Sequence, residues 1–202
     1  MTLAYDFPSP RPALAESLLP RVLTRSGTTV LLGAVLTALA AQVSVPVPGS
    51  PVPVTGQTFA VLMTATALGP AQGFASQLLY LLLGALGLPV FTDAQHGIHA
   101  FSGATGGYLL GFLAAAAIAG FGARHGADRS SIRALASLIP ASGAIYLFGA
   151  SWLSLSTGMS PGQAISVGVV PFLFGDAMKA LLAAGLLPGA WKLLRRFEGN
   201  GS

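Results

Sequence analysis

The chain has 202 residues, 53% of them hydrophobic and only 8% charged, far below the roughly 25% charge of a soluble domain, so it reads as an integral membrane protein. A formal charge of +4 and a pI of about 10.0 come from basic residues too few and too scattered to form a nucleic-acid surface. The absence of cysteine excludes disulfides, thiolate chemistry and Cys-ligated metal, and leaves the redox compartment undetermined.

Residues 1–24 form a Pro-rich arm. Asp6, Pro8, Pro10 and Pro12 stand where a signal peptide would carry basic residues and then an apolar run, so no cleaved signal is expected. Its second part, residues 13–23, is mildly amphipathic, too short to span, and suited to the membrane surface. The rest, residues 25–198, reads as one transmembrane domain. Its first span covers 27–43 and ends at Pro46, Pro48, Pro51 and Pro53, which cannot continue a helix and set an extended, uncharged loop. The second span begins at Thr55-Gly56-Gln57-Thr58 and reaches Leu68, Gly69-Pro70 marks a tight turn, and the third covers 71–86. Both are shorter than the ~20 residues that cross ~30 Å of hydrocarbon. A merged re-entrant hairpin therefore competes with two separate helices, and Gly69-Pro70 favours two.

Residues 87–103 make a longer connection carrying Pro89, Phe91, Asp93, His96 and His99, after which Thr105-Gly106-Gly107-Tyr108 opens a fourth span to Phe121. A charged hydrophilic turn follows, with Arg124, His125, Asp128, Arg129 and Arg133. The fifth span covers 134–155. The sixth runs from Ala164 or Val167 to Leu187, where Pro188-Gly189 bends it before a basic tail. Lys and Arg precede span one (Arg11, Arg21, Arg25), separate spans four and five (Arg124, Arg129, Arg133) and follow span six (Lys192, Arg195, Arg196). With six spans this alternation is self-consistent and puts both termini in the cytoplasm; five or seven would split the basic loops between the two sides. The fold class expected is an all-α membrane protein with six transmembrane helices.

Small residues recur at spacing four in Ala34 and Ala38, Thr37 and Ala41, Gly107 and Gly111, and Gly111 and Ala115, and such faces let helices approach closely in lipid. The 107–115 seam is read as internal packing. Ala34, Ala38 and Ala41, on the first helix of the bundle, could instead offer their seam to another protein.

One basic residue breaks the pattern. Lys179 lies at membrane depth with Asp176 one helical turn before it. A charge at the bilayer centre costs roughly 2.5–3.5 kcal/mol on insertion scales, so such residues face the bundle interior and mark a pathway or ligand site. The i, i+3 spacing puts both on one face, with Phe172 and Ala183 on the same stripe. The bland reading is a pair that merely neutralises itself. Against it stand Gln57, Thr58, Gln77, Tyr80, Thr105 and Tyr108, which together imply an apolar pocket with a few fixed polar groups.

Other chemistry finds little support. The two lysines are followed by Ala180 and Leu193, so no P-loop exists, and Gly103-Ala104-Thr105-Gly106-Gly107 opens a helix without a preceding strand. There is no nucleophile elbow. Asp93, His96 and His99 could ligate Zn²⁺ only with help from another loop, and a solvated outer loop is the favoured reading. No metal, cofactor or catalytic residue is expected.

Four runs carry a family likeness: Val52-Pro53-Val54-Thr55-Gly56-Gln57-Thr58-Phe59-Ala60-Val61-Leu62, Leu79-Tyr80-Leu81-Leu82-Leu83-Gly84-Ala85-Leu86-Gly87-Leu88-Pro89-Val90-Phe91, Thr105-Gly106-Gly107-Tyr108-Leu109-Leu110-Gly111-Phe112 and Val169-Val170-Pro171-Phe172-Leu173-Phe174-Gly175-Asp176-Ala177-Met178-Lys179. In order and spacing, over residues 27–195, the chain resembles the BioY family, the biotin-binding S components of energy-coupling-factor (ECF) transporters. The resemblance implies a six-helix protein of the cytoplasmic membrane that captures biotin in a pocket open to the outside. It implies as partners a transmembrane coupling protein and two ATPases, or self-association where a member works alone. It maps ligand contacts onto Asp176 and Lys179 and coupling-protein docking onto Ala34 and Ala38, a face extended here to Ala41. Ala104 stands where members often carry Pro, and the Arg that some S components carry on the docking face is absent.

Biotin offers two ureido N–H donors, one carbonyl acceptor, an apolar sulfur ring and a carboxylate tail. Asp176 can accept from a ureido N–H, and Lys179 can donate to the ureido oxygen or the carboxylate. Gln57, Tyr80, Phe91, Gly107, Tyr108, Phe112, Trp152 and Phe172 are the further contacts expected, and the loops after spans one and three could act as a lid. Three other readings remain at this point. An ion-coupled secondary transporter of a small carboxylate would titrate Asp176, but needs inverted repeats that are not evident. The others are an S component for another vitamin and a membrane enzyme built on the outer-loop Asp and His residues.

Overall fold

Residues 13–18 and 26–199 are described by the computed structural model. The arm before Ala13, the remainder of the amphipathic segment, and Arg11, Arg21 and Arg25 lie outside the described residues. The described residues are mostly helical: α1 (Leu14–Leu18), α2 (Ser26–Ala41), α3 (Gln57–Ala85), α4 (His99–Ser102), α5 (Gly106–Arg124), α6 (Ser131–Thr157), α7 (Pro161–Gly168) and α8 (Val170–Gly199). Three stretches, Gly106–Arg124, Ser131–Thr157 and Val170–Arg196, are long and apolar enough to cross a membrane. Leu147, Leu155, Phe174 and Leu181 are among the large apolar side chains these helices leave exposed, as expected where the surrounding solvent is lipid.

α3 is one helix by hydrogen bonding and two by shape. Gly69 takes φ 78° and ψ 178° and is followed by Pro70, a left-handed turn that glycine alone enters freely. The arms 57–68 and 70–85 fold back on each other, since Gly73 lies against the Ala65 backbone and Gln77 Nε2 donates to Thr64 Oγ1 at 3.2 Å. The turn rests on Gly120 near the far end of α5. Two helices joined by a turn, as Gly69-Pro70 implied, is therefore what forms, with arms roughly 18 and 24 Å long.

α2 packs on this hairpin through its small and polar face. Gly33 lies against Ser76, and fully buried Gln77 donates to Thr37 Oγ1 at 3.2 Å. That packing gives the small face of α2, with Ala34, Ala38 and Ala41, a partner inside the chain. Ala34 and Ala41 are fully buried within the chain and Ala38 is half-buried against the core, because the small residues that permit close approach are consumed by α3. Leu31, Leu32, Val35, Leu36 and Leu39 form the exposed face of α2.

The proline loop after α2 is closed at its base by two short strands, β1 (Ser44–Val45) and β2 (Val54–Thr55), antiparallel with Ser44 opposite Thr55. The last span is also built differently from expectation. α7 is a separate helix with a Ser160–Gln163 capping box, and α8 does not end at Pro188 but continues to Gly199. Lost backbone bonding at Pro188 is offset by packing beyond it. Trp191 is buried, donates from Nε1 to Asp128 Oδ2, and carries the Arg129 guanidinium 4.3 Å above its ring. Asp128 is accordingly buried rather than part of a solvated turn.

Candidate ligand-binding site

A cavity of about 660 Å³ lies among α3, α5, α6 and α8, under the loops that follow α2 and α3, a size in the usual range for small-molecule sites. Asp176 and Lys179 are on its wall, 2.7 Å apart, with side chains 11% and 19% exposed. They are not a self-contained pair. Asp176 Oδ1 also accepts from Thr58 Oγ1 at 2.9 Å, and Oδ2 accepts from Tyr146 Oη at 2.6 Å. Lys179 Nζ donates to Thr55 O at 2.7 Å and to Thr58 Oγ1 at 3.0 Å as well as to Asp176. An ammonium has three N–H donors, so all three are engaged by protein; a carboxylate has about four lone-pair sites, and three of those of Asp176, which lines the cavity, are engaged among the described residues. The floor therefore presents a fixed acceptor, held and neutralised by its cation.

A second polar centre is Gln57. Its Oε1 accepts from Thr55 Oγ1 at 3.0 Å and from Thr92 Oγ1 at 3.2 Å, while Nε2 donates to Tyr80 Oη. Gln57 and Thr92 line the cavity. Tyr80 stands behind, fully buried, and packs edge-on against Phe91 with ring centroids 5.4 Å apart.

The aromatic walls are seated on glycines. Phe91 lies against Gly84, where any Cβ would enter the ring, and the Tyr108 ring lies in the same way on Gly149. Tyr108 Oη donates to Gly168 O at 2.7 Å, tying α5 to the end of α7, just before the break that starts α8. Phe112, Ile145 and Phe172 complete an apolar interior. At the mouth, Pro51 to Pro53 face residues of the 91–105 connection, including Asp93, His96 and His99. Among the described residues no group of His, Cys, Asp or Glu is arranged to hold a metal ion.

Of the residues singled out from sequence, the cavity brings together Asp176, Lys179, Gln57, Phe91, Tyr108, Phe112 and Phe172. Tyr80, Gly107 and Trp152 lie outside its lining. Gly107 is where α5 crosses Phe148 and Trp152 of α6, and Trp152 Nε1 donates to Gly103 O at 3.0 Å, pinning the end of the mouth connection. Gln77 belongs to the α2–α3 seam. Sequence reasoning missed Tyr146, whose signal was a lone phenol within an apolar span, and the Thr55 carbonyl, which no sequence pattern marks.

The profile of the BioY family matches residues 13–196. The chain is 42% identical over 154 residues to the probable biotin transporter BioY of Pyrococcus horikoshii, covering 76% of this chain and 88% of the relative. It is 39% identical over 149 residues to the biotin transporter BioY of Thermotoga maritima, with coverage of 74% and 85%. The fold matches a crystal structure of the S-component for biotin from an ECF-type ABC transporter, with a TM-score of 0.77 at 23% identity, over 87% of this chain and 95% of that one. The chain is a member of the BioY family.

Proposed function

We propose that this chain captures biotin from outside the cytoplasmic membrane and carries it inward as the S component of an ECF-type transporter. What supports the ligand reading is the cavity wall at Asp176, whose described partners Lys179, Thr58 and Tyr146 take three of its about four acceptor sites and leave one for a ligand. A ureido N–H is the partner for that site. The sulfur ring and alkyl chain then lie against Phe91, Tyr108, Phe112, Ile145 and Phe172. Lys179 acts first by neutralising Asp176, and reaches a ligand oxygen by giving up Thr55 O or Thr58 Oγ1. The names of the relatives support biotin, and transport rather than catalysis is the activity of the family.

Six spans with cytoplasmic termini are supported by charge. Arg124, Arg133, Lys192, Arg195 and Arg196 fall at the ends of α5, α6 and α8 remote from the cavity, and Arg129 in the turn that joins α5 to α6, Lys192 being about 20 Å along α8 from Lys179. The loops 46–53 and 87–104 that border the mouth contain no Lys or Arg, so the cavity opens to the outside. The α3 hairpin supplies the second and third spans, and the connection that starts at Phe91 acts as the lid. The partners are a membrane coupling protein and two ATPase subunits, which supply the energy this chain, having no P-loop, cannot draw from ATP itself, or further copies of the chain if it works alone. A partner meets the exposed leucine and valine strip of α2, which Ala38 borders. Radiolabelled biotin titrated onto the purified chain, with thiamine, riboflavin and folate as competitors, tests this: saturable binding displaced by biotin alone is expected, and displacement by another vitamin would reassign the ligand.

A further inference from the structure

Gln42 follows the last residue of α2 and lies outside the cavity. Its carboxamide nevertheless grips the cavity mouth. Nε2 donates to Phe91 O at 3.1 Å, and Oε1 accepts from the Ala94 N–H at 3.3 Å. Between those two contacts the backbone is strained: Asp93 and Ala94 take φ of 55° and 57°, consecutive left-handed conformations that non-glycine residues keep only where the surroundings hold them. Other ties to this connection are Thr92 to Gln57 at 3.2 Å, the Gly97 N–H to Gly84 O at 2.7 Å, the Phe91 N–H to Gln95 O at 3.1 Å and the His96 Nδ1 hydrogen bond with Ala94 O at 3.1 Å. Of these only the His96 bond touches the strained pair, and it lies within the same loop, so among the described residues the hydrogen bond that ties the pair to another element is the one from Gln42. Asp93 and Ala94 line the mouth and Phe91 the inner wall, so the carboxamide spans the segment that a ligand must pass.

We propose that Gln42 is the latch of this mouth, a positioning residue that sets how fast ligand enters and leaves by holding residues 91–94 in their strained, closed form. The ligand named in the test rests on the biotin reading above; the latch does not. Removing the carboxamide frees the Ala94 N–H and the Phe91 carbonyl for water and lets the strain relax, while the acceptor on Asp176 is untouched.

The test uses the full chain purified in detergent. For Gln42→Ala, release of radiolabelled biotin in a chase is expected to be about three- to tenfold faster, the range set by losing one net hydrogen bond, with thermal unfolding unchanged. Gln42→Glu keeps an acceptor for Ala94 but sets a carboxylate against the Phe91 carbonyl, and is expected to release faster too. In the ligand-free protein, exchange of the Ala94 amide hydrogen should accelerate in Gln42→Ala. Wild-type release in both variants, or unchanged Ala94 exchange, overturns the latch. If the wild-type chain binds no biotin, the ligand reading fails, and the exchange measurement still decides the latch by itself.

Discussion

Tyr146 reaches from α6 to give its hydroxyl hydrogen to Asp176 Oδ2 at 2.6 Å, on the opposite oxygen from the one that Lys179 and Thr58 share. The carboxylate is thereby fixed from α3, α6 and its own helix. Its remaining acceptor direction is set by protein geometry before any ligand arrives, and such preorganisation reduces the ordering cost of binding.

Tyr146→Phe removes that hydrogen bond and nothing else of comparable size. A bond to a charged group contributes about 1.5–3 kcal/mol, so biotin affinity measured by calorimetry should fall at least tenfold while yield from membranes is retained. Wild-type affinity in this variant would show that orientation of Asp176 is not set by the phenol.

Lys179→Met tests the neutralising role. Removing one partner of a buried pair costs about 3–5 kcal/mol, whereas replacing both is often near neutral. The single variant should lose both thermal stability and binding, and the double variant Asp176→Asn/Lys179→Met should regain stability but not binding. A single variant that loses binding with unfolding unchanged would instead make Lys179 a direct ligand contact only.

The chain contains no cysteine, which makes topology directly measurable. Gln95→Cys, at the cavity mouth, should react with a membrane-impermeant thiol reagent in intact cells, and Ser130→Cys, in the α5–α6 turn, only after permeabilisation. The reverse pattern would invert the proposed orientation.

The site was legible where chemistry is written in one helix and obscure where it is assembled between helices. Asp176 and Lys179 announce themselves because an ionisable pair in an apolar span needs a reason. Tyr146 sits on another helix, and only packing brings it to Asp176; Trp152, six residues on along the same helix and a ligand contact by sequence, lies outside the cavity lining and holds Gly103. The turn of α3 follows from Gly69-Pro70, since those residues exclude a straight helix. By contrast, the small residues of α2 fit an internal seam and an external one equally well from sequence, and only their burial shows that α3 uses them. Pro188 misleads for the same reason: tertiary contacts of Trp191 and Asp128 carry α8 past a residue that locally disfavours it.

The most direct test of the central claim is biotin binding by calorimetry to the purified wild-type chain and to Asp176→Asn. Asparagine keeps one acceptor oxygen, which Lys179 and Thr58 engage, and sets an NH2 in place of Oδ2, so binding should weaken by roughly ten- to a hundredfold, with insertion into the membrane intact. Equal affinity for the two proteins would contradict the account, because the ligand would then be held elsewhere.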